Sequence, residues 1–289
     1  MNKLLNMRRY LTHLHQKLDP IYPSVEVGSF SRLLLRKLAN MSSVQIYSDK
    51  DRNFPDDTLE KLVSAIDRLA CKEPIQYILG ETEFCDLTFQ VGPGVLIPRP
   101  ETEELVELIT KEAAVKERSL QILDIGTGSG CIAISLAKAL PLAQVSAWDI
   151  SPEALDIAAE NAAINMVGVV FSITDVLTFE LGLHQKASQD IIVSNPPYVR
   201  LSEASDMETN VLEYEPHLAL FVENKDPLLF YRVISKLAVE MLKPEGSLYF
   251  EINSYLGKQT LELVKTFPFK EVQLIQDISG KDRIIRAKL

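Results

Sequence analysis

The chain has few of the features that mark several large protein classes. None of its apolar runs approaches the roughly 20 residues that a membrane-spanning helix requires, so no membrane partner is expected. Its three cysteines are scattered and odd in number, which argues against a disulfide framework and favours reduced thiols in the cytoplasm. Its four histidines show no spacing typical of metal ligands, so no metal site is predicted.

Positive charge is also scarce. The 289 residues include 30 Lys and Arg against 40 Asp and Glu, which gives a net charge of −10. Proteins that bind duplex DNA usually need a basic face to neutralise phosphates, so this balance argues against a nucleic-acid partner. Hydrophobic residues make up 46% of the chain, an ordinary share for a soluble globular protein. The length suits one large domain or two ordinary ones. We also expect the protein to be a monomer.

Residues 1–73 are predicted to form a small helical domain. Apolar residues recur at helical spacing in three runs, the first of which includes Leu4 and Leu5. The first 18 residues carry Lys and Arg but no acid, as a mitochondrial presequence would. However, they lack serine, and their leucines suit the first helix of a folded domain. No catalytic chemistry is recognisable in this region. Its role would be either structural or the docking of a partner, and we expect docking.

Residues 74–98 are predicted to be a β-hairpin linker. Residues 74–80 and 84–90 resemble two short strands around a turn, and a segment rich in Pro and Gly follows them. Glu101 then opens a helix, because acids are favourable at the positive end of the helix dipole.

Residues 99–289 are predicted to form an α/β domain with a doubly wound, mostly parallel sheet, because strands and helices alternate from about residue 119. The predicted strands are 121–126, 144–150, 169–175, 190–195, 247–253, 270–276 and 283–289, and the predicted helices are 130–139, 152–165, 226–242 and 257–267. No helix separates the last two strands, so they should pair antiparallel as a hairpin. Residues 199–225 lack periodicity and are expected to lie over the substrate site, since long irregular segments are usually functional.

The segment that is most informative about function ends in Asn195-Pro196-Pro197-Tyr198. It follows an apolar run, and its two prolines force the backbone out of the sheet as a stiff turn. Carboxyl ends of strands are where open α/β sheets bind ligands. The side-chain oxygen of Asn195 and the carbonyl of Pro196 are able to accept hydrogen bonds from a planar NH2 group, on which Tyr198 would stack. The motif therefore indicates a site for an amide or amino nitrogen.

A glycine-rich loop precedes this motif in the chain. Gly126-Thr127-Gly128-Ser129-Gly130 joins an apolar strand to a predicted helix, and its glycines permit positive φ and a close approach of the backbone to a ligand. The spacing differs from a dinucleotide fingerprint, because position 131 is Cys131 and not a third glycine. The next strand ends in Asp149, an acid suited to the two hydroxyls of a ribose.

The order of these features is typical of an S-adenosylmethionine (AdoMet) methyltransferase that acts on nitrogen. Taken alone, the glycine loop would also be compatible with an ordinary tight turn. A DNA adenine-N6 methyltransferase would explain both motifs equally well, but it conflicts with the acidic charge and the missing basic region. A non-catalytic AdoMet-binding module conflicts with the intact Asp149 and Asn195–Tyr198.

Six segments carry a more specific resemblance. They are Pro74–Gly80 with Phe84, Leu96–Glu103, Asp124–Gly130, Ser194–Tyr198, Glu215-Pro216 with Ala219–Phe221, and Ser279–Arg283. On the basis of these segments, the chain resembles the PrmC/HemK family, the glutamine N5-methyltransferases of peptide chain release factors. The resemblance covers nearly the whole length of the chain. The Asn-Pro-Pro-Tyr motif is shared with other amino methyltransferases, whereas Pro-Arg-Pro-Glu-Thr-Glu with the helical domain is more specific. One departure is Asn253, where family members usually have glycine.

The resemblance implies a class I AdoMet-dependent methyltransferase domain that follows the helical domain in the chain and contains a Rossmann-like sheet of seven strands. It implies methylation of the glutamine in a Gly-Gly-Gln motif of release factors, the proteins of translation termination, with S-adenosylhomocysteine as product. By position, Gly126–Gly130 would hold the methionine half of AdoMet and Asp149 the ribose. Asp175 and Val176 would flank the adenine, although family members commonly carry a bulky aromatic at position 176. Asn195–Tyr198 would bind the glutamine, with Asn195 also near the cofactor and with Asn195, Pro196 and Tyr198 as the catalytic residues.

Overall fold

The computed structural model describes residues 6–115 and 118–289. Its helices are α1 (Met7–Leu18), α2 (Ser24–Leu38), α3 (Ser43–Ser48), α4 (Asp56–Ala70), α5 (Ile75–Leu79), α6 (Pro100–Ala114), α7 (Cys131–Ala139), α8 (Pro152–Ile164), α9 (Thr209–Tyr214), α10 (His217–Leu220), α11 (Leu229–Met241) and α12 (Gly257–Lys265). Its strands are β1 (Glu81–Phe84), β2 (Leu87–Gln90), β3 (Gln121–Ile125), β4 (Gln144–Asp149), β5 (Val169–Ile173), β6 (Gln189–Ser194), β7 (Val199–Arg200), β8 (Phe221–Val222), β9 (Leu242–Glu251), β10 (Glu271–Gln276) and β11 (Asp282–Lys288). These elements divide between two compact units, one of which runs to Gly80 and adds Glu208–Tyr214, while the other comprises Glu81–Met207 and Glu215–Leu289.

The first unit consists of short helices around one apolar core. α1, α2 and α4 each bury one face, and Leu34 and Leu62 are among the fully buried side chains. α1 begins after Asn6, whose side chain accepts a hydrogen bond from the backbone N–H of Arg9 at 3.1 Å. Leu4 and Leu5, which the sequence placed on the apolar face of the first helix, lie outside the described residues. The segment Glu208–Tyr214 is held in this unit by the Tyr214 hydroxyl, which donates to the carbonyl of residue 71 at 2.7 Å.

The predicted strand over residues 74–80 is wrong. Residues Ile75–Leu79 form the single-turn helix α5, with Pro74 before it and Gly80 after it in the left-handed region at φ 76°. Ile75 and Tyr77 are both buried, and in so short a run a spacing of two imitates the alternation of a strand. The hairpin is built instead from β1 and β2, which pair antiparallel in the second unit.

The second unit is built on a seven-stranded sheet in the order β10-β11-β9-β6-β3-β4-β5. Neighbours from β9 to β5 are parallel, whereas β11 is antiparallel to both β9 and β10. The predicted strands and the terminal hairpin are therefore confirmed. The central strands β3 and β6 are buried on both faces, which gives recognisable apolar runs. The chain leaves β3 towards β4 on one side and returns as β6 on the other. This reversal is the switch point at which doubly wound sheets bind ligands.

Two apolar layers cover this sheet. Ile122 and Ile191 pack with α6 and α7 in one cluster, whereas Leu123 and Ile192 pack with α11 and α12 in another. Successive strand residues thus face opposite layers, which makes the central strands rigid supports for the residues that follow them.

Residues 199–225 are more regular than the sequence suggested. They contain β7 paired in parallel with β8, a 3-10 turn over Leu201–Asp206, and the short helices α9 and α10. Strands of two residues and helices of one turn are too short to produce a visible periodicity. The expected position of this segment over the substrate site stays a prediction.

Membrane-spanning helices and metal-binding clusters are both absent from the described residues. No helix among them combines the length and the apolar character needed to cross a bilayer. No group of three or more His, Cys, Asp or Glu side chains among them is placed to hold a metal ion.

Candidate active site

The carboxyl ends of adjacent strands bring the sequence motifs together. Ile125 of β3 pairs with Ser194 of β6 on one side and with Trp148 of β4 on the other. The residues that follow, Gly126, Asn195 and Asp149, therefore lie side by side at one edge of the sheet. Ser194 also donates its hydroxyl proton to the carbonyl of Ile125 at 2.7 Å, which fixes the end of β6 against the start of the glycine loop.

The glycine loop leaves space above Gly126 and Gly128. Both residues have positive φ, and a methyl group placed on either would meet no heavy atom within 4 Å. A methyl group on Gly130 would instead lie 2.8 Å from the side chain of Ile134, so this glycine serves the packing of α7. The first two glycines thus expose backbone to a ligand, and the third allows close contact between elements.

Asp149 lies at the edge of this open space. Its Oδ2 accepts a hydrogen bond from the backbone N–H of Gly128 at 2.8 Å, and its Oδ1 accepts one from that of Ser151 at 2.9 Å. A carboxylate has about four acceptor positions. The half-buried Asp149 therefore keeps acceptor capacity for the hydroxyls of a ligand while its orientation is fixed.

The other residues expected at the cofactor are partly engaged inside the protein. Thr127 and Ser129 have buried side chains, so the loop presents backbone and not these hydroxyls. Asp175 follows β5 and accepts hydrogen bonds from the Leu177 backbone N–H and the Thr178 hydroxyl, at 2.9 and 3.0 Å. Val176 is buried in the same apolar cluster as Trp148.

Asp124 is a carboxyl that sequence reasoning did not single out. It is completely buried in β3, and its Oδ2 accepts a hydrogen bond from the hydroxyl of Thr127 at 2.6 Å. Burial raises the pKa of Asp124 to about 7, although the Thr127 hydrogen bond lowers it. The signal in the sequence was an acid inside an otherwise apolar strand, directly before the glycines.

Asn195 is connected to a second buried carboxylate. Its Nδ2 lies 3.5 Å from Oγ1 of Thr102 on α6, and Thr102 donates its own proton to Oε2 of Glu251 at 2.6 Å. Glu251 ends β9 beside Asn195, because Phe250 pairs with Ser194. Sequence reasoning assigned no role to Thr102 or Glu251, since 149 residues separate them in the chain.

Glu251 also contacts the other end of the Asn-Pro-Pro-Tyr motif. The hydroxyl of Tyr198 lies 3.4 Å from Oε1 of Glu251, and Asn253 Nδ2 donates to the carbonyl of Tyr198 at 3.4 Å. Burial raises the pKa of Tyr198, and the charge of Glu251 raises it further. Burial likewise raises the pKa of Glu251, against the hydrogen bond from Thr102. Asn253, the departure noted in the sequence, thus supports the motif.

A partly buried ion pair lies in the connector before α6. Glu215 is almost completely buried, and it accepts hydrogen bonds from the Arg99 guanidinium at 2.6 Å and from the Ile97 backbone N–H at 3.1 Å. Both segments belonged to the motifs that carried the resemblance. The contact attaches the residues after Tyr198 to the Pro-Arg-Pro-Glu-Thr-Glu segment, although 116 positions separate Arg99 from Glu215.

Comparison with known proteins identifies the family. Residues 101–214 match the model of the methyltransferase small domain, and residues 23–80 match that of the PrmC N-terminal domain. The release factor glutamine methyltransferase of Bacteroides thetaiotaomicron is 49% identical over 97% of this chain and 99% of its own length. That of Flavobacterium psychrophilum is also 49% identical, over 97% and 98%. The chain belongs to the release factor glutamine methyltransferase family.

A solved structure supports the fold independently. A 16S rRNA N2 methyltransferase from T. thermophilus, solved with AdoMet and guanosine, matches with a TM-score of 0.52 over 72% of this chain and 49% of its own. Its sequence is only 18% identical, so it bears on the fold alone. Membership of the family confirms the resemblance that the motifs predicted, and the sheet of seven strands confirms the predicted class I methyltransferase fold.

Proposed function

We propose that this protein transfers a methyl group from AdoMet to the side-chain amide nitrogen, N5, of the glutamine in the Gly-Gly-Gln motif of peptide chain release factors. The relatives that match nearly the whole chain are named for this reaction. The structural observation that carries the proposal is the position of Asn195, directly after β6 and beside Gly126 at the switch point of the sheet. In this proposal Asn195 binds the acceptor amide directly beside the open glycine loop.

The residues at this edge fit AdoMet. The open backbone at Gly126 and Gly128 would accommodate the methionine half, and Asp149 would accept from the ribose hydroxyls. Asp175 and Val176 would flank the adenine. When bound, AdoMet supplies a methyl group on a positively charged sulfur, which is the activated carbon that the reaction needs.

The Asn-Pro-Pro-Tyr motif would hold the acceptor. Asn195 Oδ1 and the Pro196 carbonyl would accept hydrogen bonds from the glutamine NH2, and Tyr198 would stack on the planar amide. These bonds draw electron density towards a nitrogen whose lone pair is otherwise delocalised, and they orient that lone pair. Holding the nucleophile about 3 Å from its target contributes several kcal/mol to catalysis, because the entropy of alignment is lost on binding. No general base is assigned, since the methylated amide cation is acidic enough to lose its proton to water.

The proposal includes the setting of the reaction. Release factors are the partners, and they act in the cytoplasm, where we place this protein as a monomer. A DNA adenine-N6 methyltransferase remains the second candidate only through the shared Asn-Pro-Pro-Tyr motif. None of the relatives described above is named for DNA, and the net charge of −10 is unfavourable for a duplex partner.

A labelling experiment separates these candidates. The purified protein is incubated with methyl-labelled AdoMet and, in parallel, with a release factor, with the same release factor carrying Ala in place of its motif glutamine, and with unmethylated DNA. Label should enter only the intact release factor, and mass spectrometry should place one added methyl on the peptide with the Gly-Gly-Gln motif. Label in DNA, or equal label in the glutamine-free release factor, would contradict the proposal.

A further inference from the structure

The amide of Asn195 has two orientations of nearly the same shape, and only hydrogen bonds distinguish them. In one orientation Oδ1 faces the ligand space and Nδ2 faces the protein, and in the other the two are exchanged. A nitrogen acceptor bearing NH2 requires the first orientation, because the second would place one NH2 group against another. The function of Asn195 therefore depends on whatever fixes its amide.

Thr102 is placed to fix it. Its hydroxyl has one proton, which it donates to Glu251 at 2.6 Å. Such a distance is typical of a hydroxyl that donates to an ionised carboxylate. With that proton committed, Oγ1 of Thr102 is able only to accept from Asn195, which lies 3.5 Å away through Nδ2. The amide must then present its NH2 to Thr102 and its oxygen to the opposite side.

Glu251 is the fixed end of this chain of hydrogen bonds. Its side chain is almost completely buried, and its Oε1 accepts from Tyr198 at 3.4 Å while its Oε2 accepts from Thr102. One carboxylate is thus connected to both ends of the Asn-Pro-Pro-Tyr motif, directly to Tyr198 and through Thr102 to Asn195. Its backbone carbonyl accepts from the buried hydroxyl of Tyr231 at 3.3 Å, which holds the end of β9 in place.

We propose that Thr102 and Glu251 are positioning residues that fix the orientation of the Asn195 amide, so that its oxygen faces the acceptor nitrogen. The inference rests on the proposed function in that it assumes an acceptor with an NH2 group. Neither residue is required to touch substrate or cofactor, and neither transfers a proton in the reaction.

Two substitutions at one position separate hydrogen bonding from packing. Thr102→Val keeps the shape but has no hydroxyl, and we expect kcat on release factor to fall by about 10- to 100-fold, the scale of one lost hydrogen bond in a buried site. The dissociation constant for AdoMet, measured by calorimetry, should change little. Thr102→Ser restores the hydroxyl and should recover most of kcat. Thr260→Val is the matched control. Thr260 is also fully buried, but its hydroxyl donates to the backbone carbonyl of Leu256 and not to a residue connected to Asn195.

Three outcomes would overturn the inference. Wild-type kcat in Thr102→Val would show that the hydroxyl is not needed. Equal losses in Thr102→Val and Thr102→Ser would assign the effect to packing. In the double variant Thr102→Val with Asn195→Ala, we expect the same kcat as in Asn195→Ala alone. A lower kcat in the double variant would show that Thr102 acts independently of the amide. If Thr102→Val does not fold, Glu251→Gln carries the same test, because it keeps the shape and removes the charge that holds the Thr102 proton.

A readout without substrate keeps this inference separate from the proposed function. If the wild-type protein leaves the release factor unlabelled, the proposed function fails, but the amide orientation is still measurable. The side-chain NH2 signals of Asn195 in the nitrogen-15 NMR spectrum are assigned by their disappearance in Asn195→Ala. They should shift in Thr102→Val and in Glu251→Gln but not in Thr260→Val. Unmoved signals in the first two variants would overturn the inference whatever the substrate.

Discussion

Asn195 shows how much of the proposed chemistry depends on a single side chain. It follows the last residue of a buried strand, and the hydroxyl of Ser194 anchors that strand to the carbonyl before the glycine loop. Its own backbone is stiffened by the two prolines that follow. The side chain is therefore held by covalent geometry on one side and by a hydrogen-bond network on the other.

Replacing this side chain should separate catalysis from cofactor binding. In Asn195→Ala we expect kcat on release factor to fall by about 100-fold, the scale of one positioned hydrogen-bonding group lost from an active site. AdoMet affinity should change little, because the glycine loop and Asp149 are untouched. Calorimetry with AdoMet and a methylation assay on release factor measure the two quantities. Comparable losses in both would refute this division of roles.

Asp124 gives the stability of the ligand-free protein a dependence on pH. Its pKa is raised to about 7 by burial, whereas an aspartate in an unfolded chain titrates near 3.9. Between these values the unfolded chain has released a proton that the folded protein still holds. Folding is therefore favoured on the acid side, and this contribution is lost as pH rises towards 7.

The isosteric variant Asp124→Asn tests that sign. From about pH 5 to pH 7 the wild-type free energy of unfolding should fall relative to that of the variant, by up to about 1.4 kcal/mol per pH unit, and the difference should then level off. Urea unfolding of both proteins across this range measures it. A difference that stays constant, or that grows in favour of the wild type with rising pH, would contradict the raised pKa.

Among the secondary-structure elements, the strands buried on both faces were the easiest to predict from the sequence. β3 and β6 lie in the middle of the sheet, so their apolar runs end where the strands end, and the motifs after them were located correctly. α5 was misassigned because one turn between Pro74 and Gly80 gives too few residues to distinguish a period of two from one of 3.6. Thr102 and Glu251 were not predicted as partners, since their contact depends on how α6 packs beside β9. No local sequence pattern predicts a contact between residues so far apart in the chain.

The helix α8 connects elements that the sequence showed only separately. Asn161 is fully buried on it, and its side chain pairs with both backbone groups of Gln90 in β2 and donates to the carbonyl of Ser129 at 2.9 Å. One amide thus joins the hairpin to the glycine loop. A neighbouring amide, Asn165, donates instead to the carbonyls of Thr88 and Asn161, each at 2.9 Å, and neither hydrogen bond reaches the loop.

This pair of asparagines offers a matched test of how the loop is supported. Asn161→Ala leaves buried backbone groups unpaired, so we expect about 3 kcal/mol less stability and an AdoMet affinity weakened several-fold. Asn165→Ala should also lower stability, but it should leave AdoMet affinity nearly unchanged. Thermal unfolding and calorimetry give the two measurements. Equal effects of both variants on AdoMet binding would show that the glycine loop does not depend on Asn161.

At the scale of the whole molecule, we expect the helical unit to bind the body of the release factor, because its described residues form the apolar core of a folded domain and none of them belongs to the proposed active site. Deleting residues 1–73 should then raise KM for a whole release factor by at least about 10-fold, the equivalent of about 1.4 kcal/mol of binding energy. The effect on a short Gly-Gly-Gln peptide should be much smaller.

The peptide is needed because the deletion removes more than a docking surface. The segment Glu208–Tyr214 belongs to the helical unit, and Tyr214 would lose the carbonyl of residue 71 as its acceptor. Any disturbance of the residues after Tyr198 would affect both substrates alike, whereas lost docking affects only the whole protein. The ratio of the two KM values therefore isolates docking, provided that AdoMet affinity shows the methyltransferase unit to be folded. A ratio equal to that of the intact chain would mean that the helical unit contributes no binding energy for the release factor.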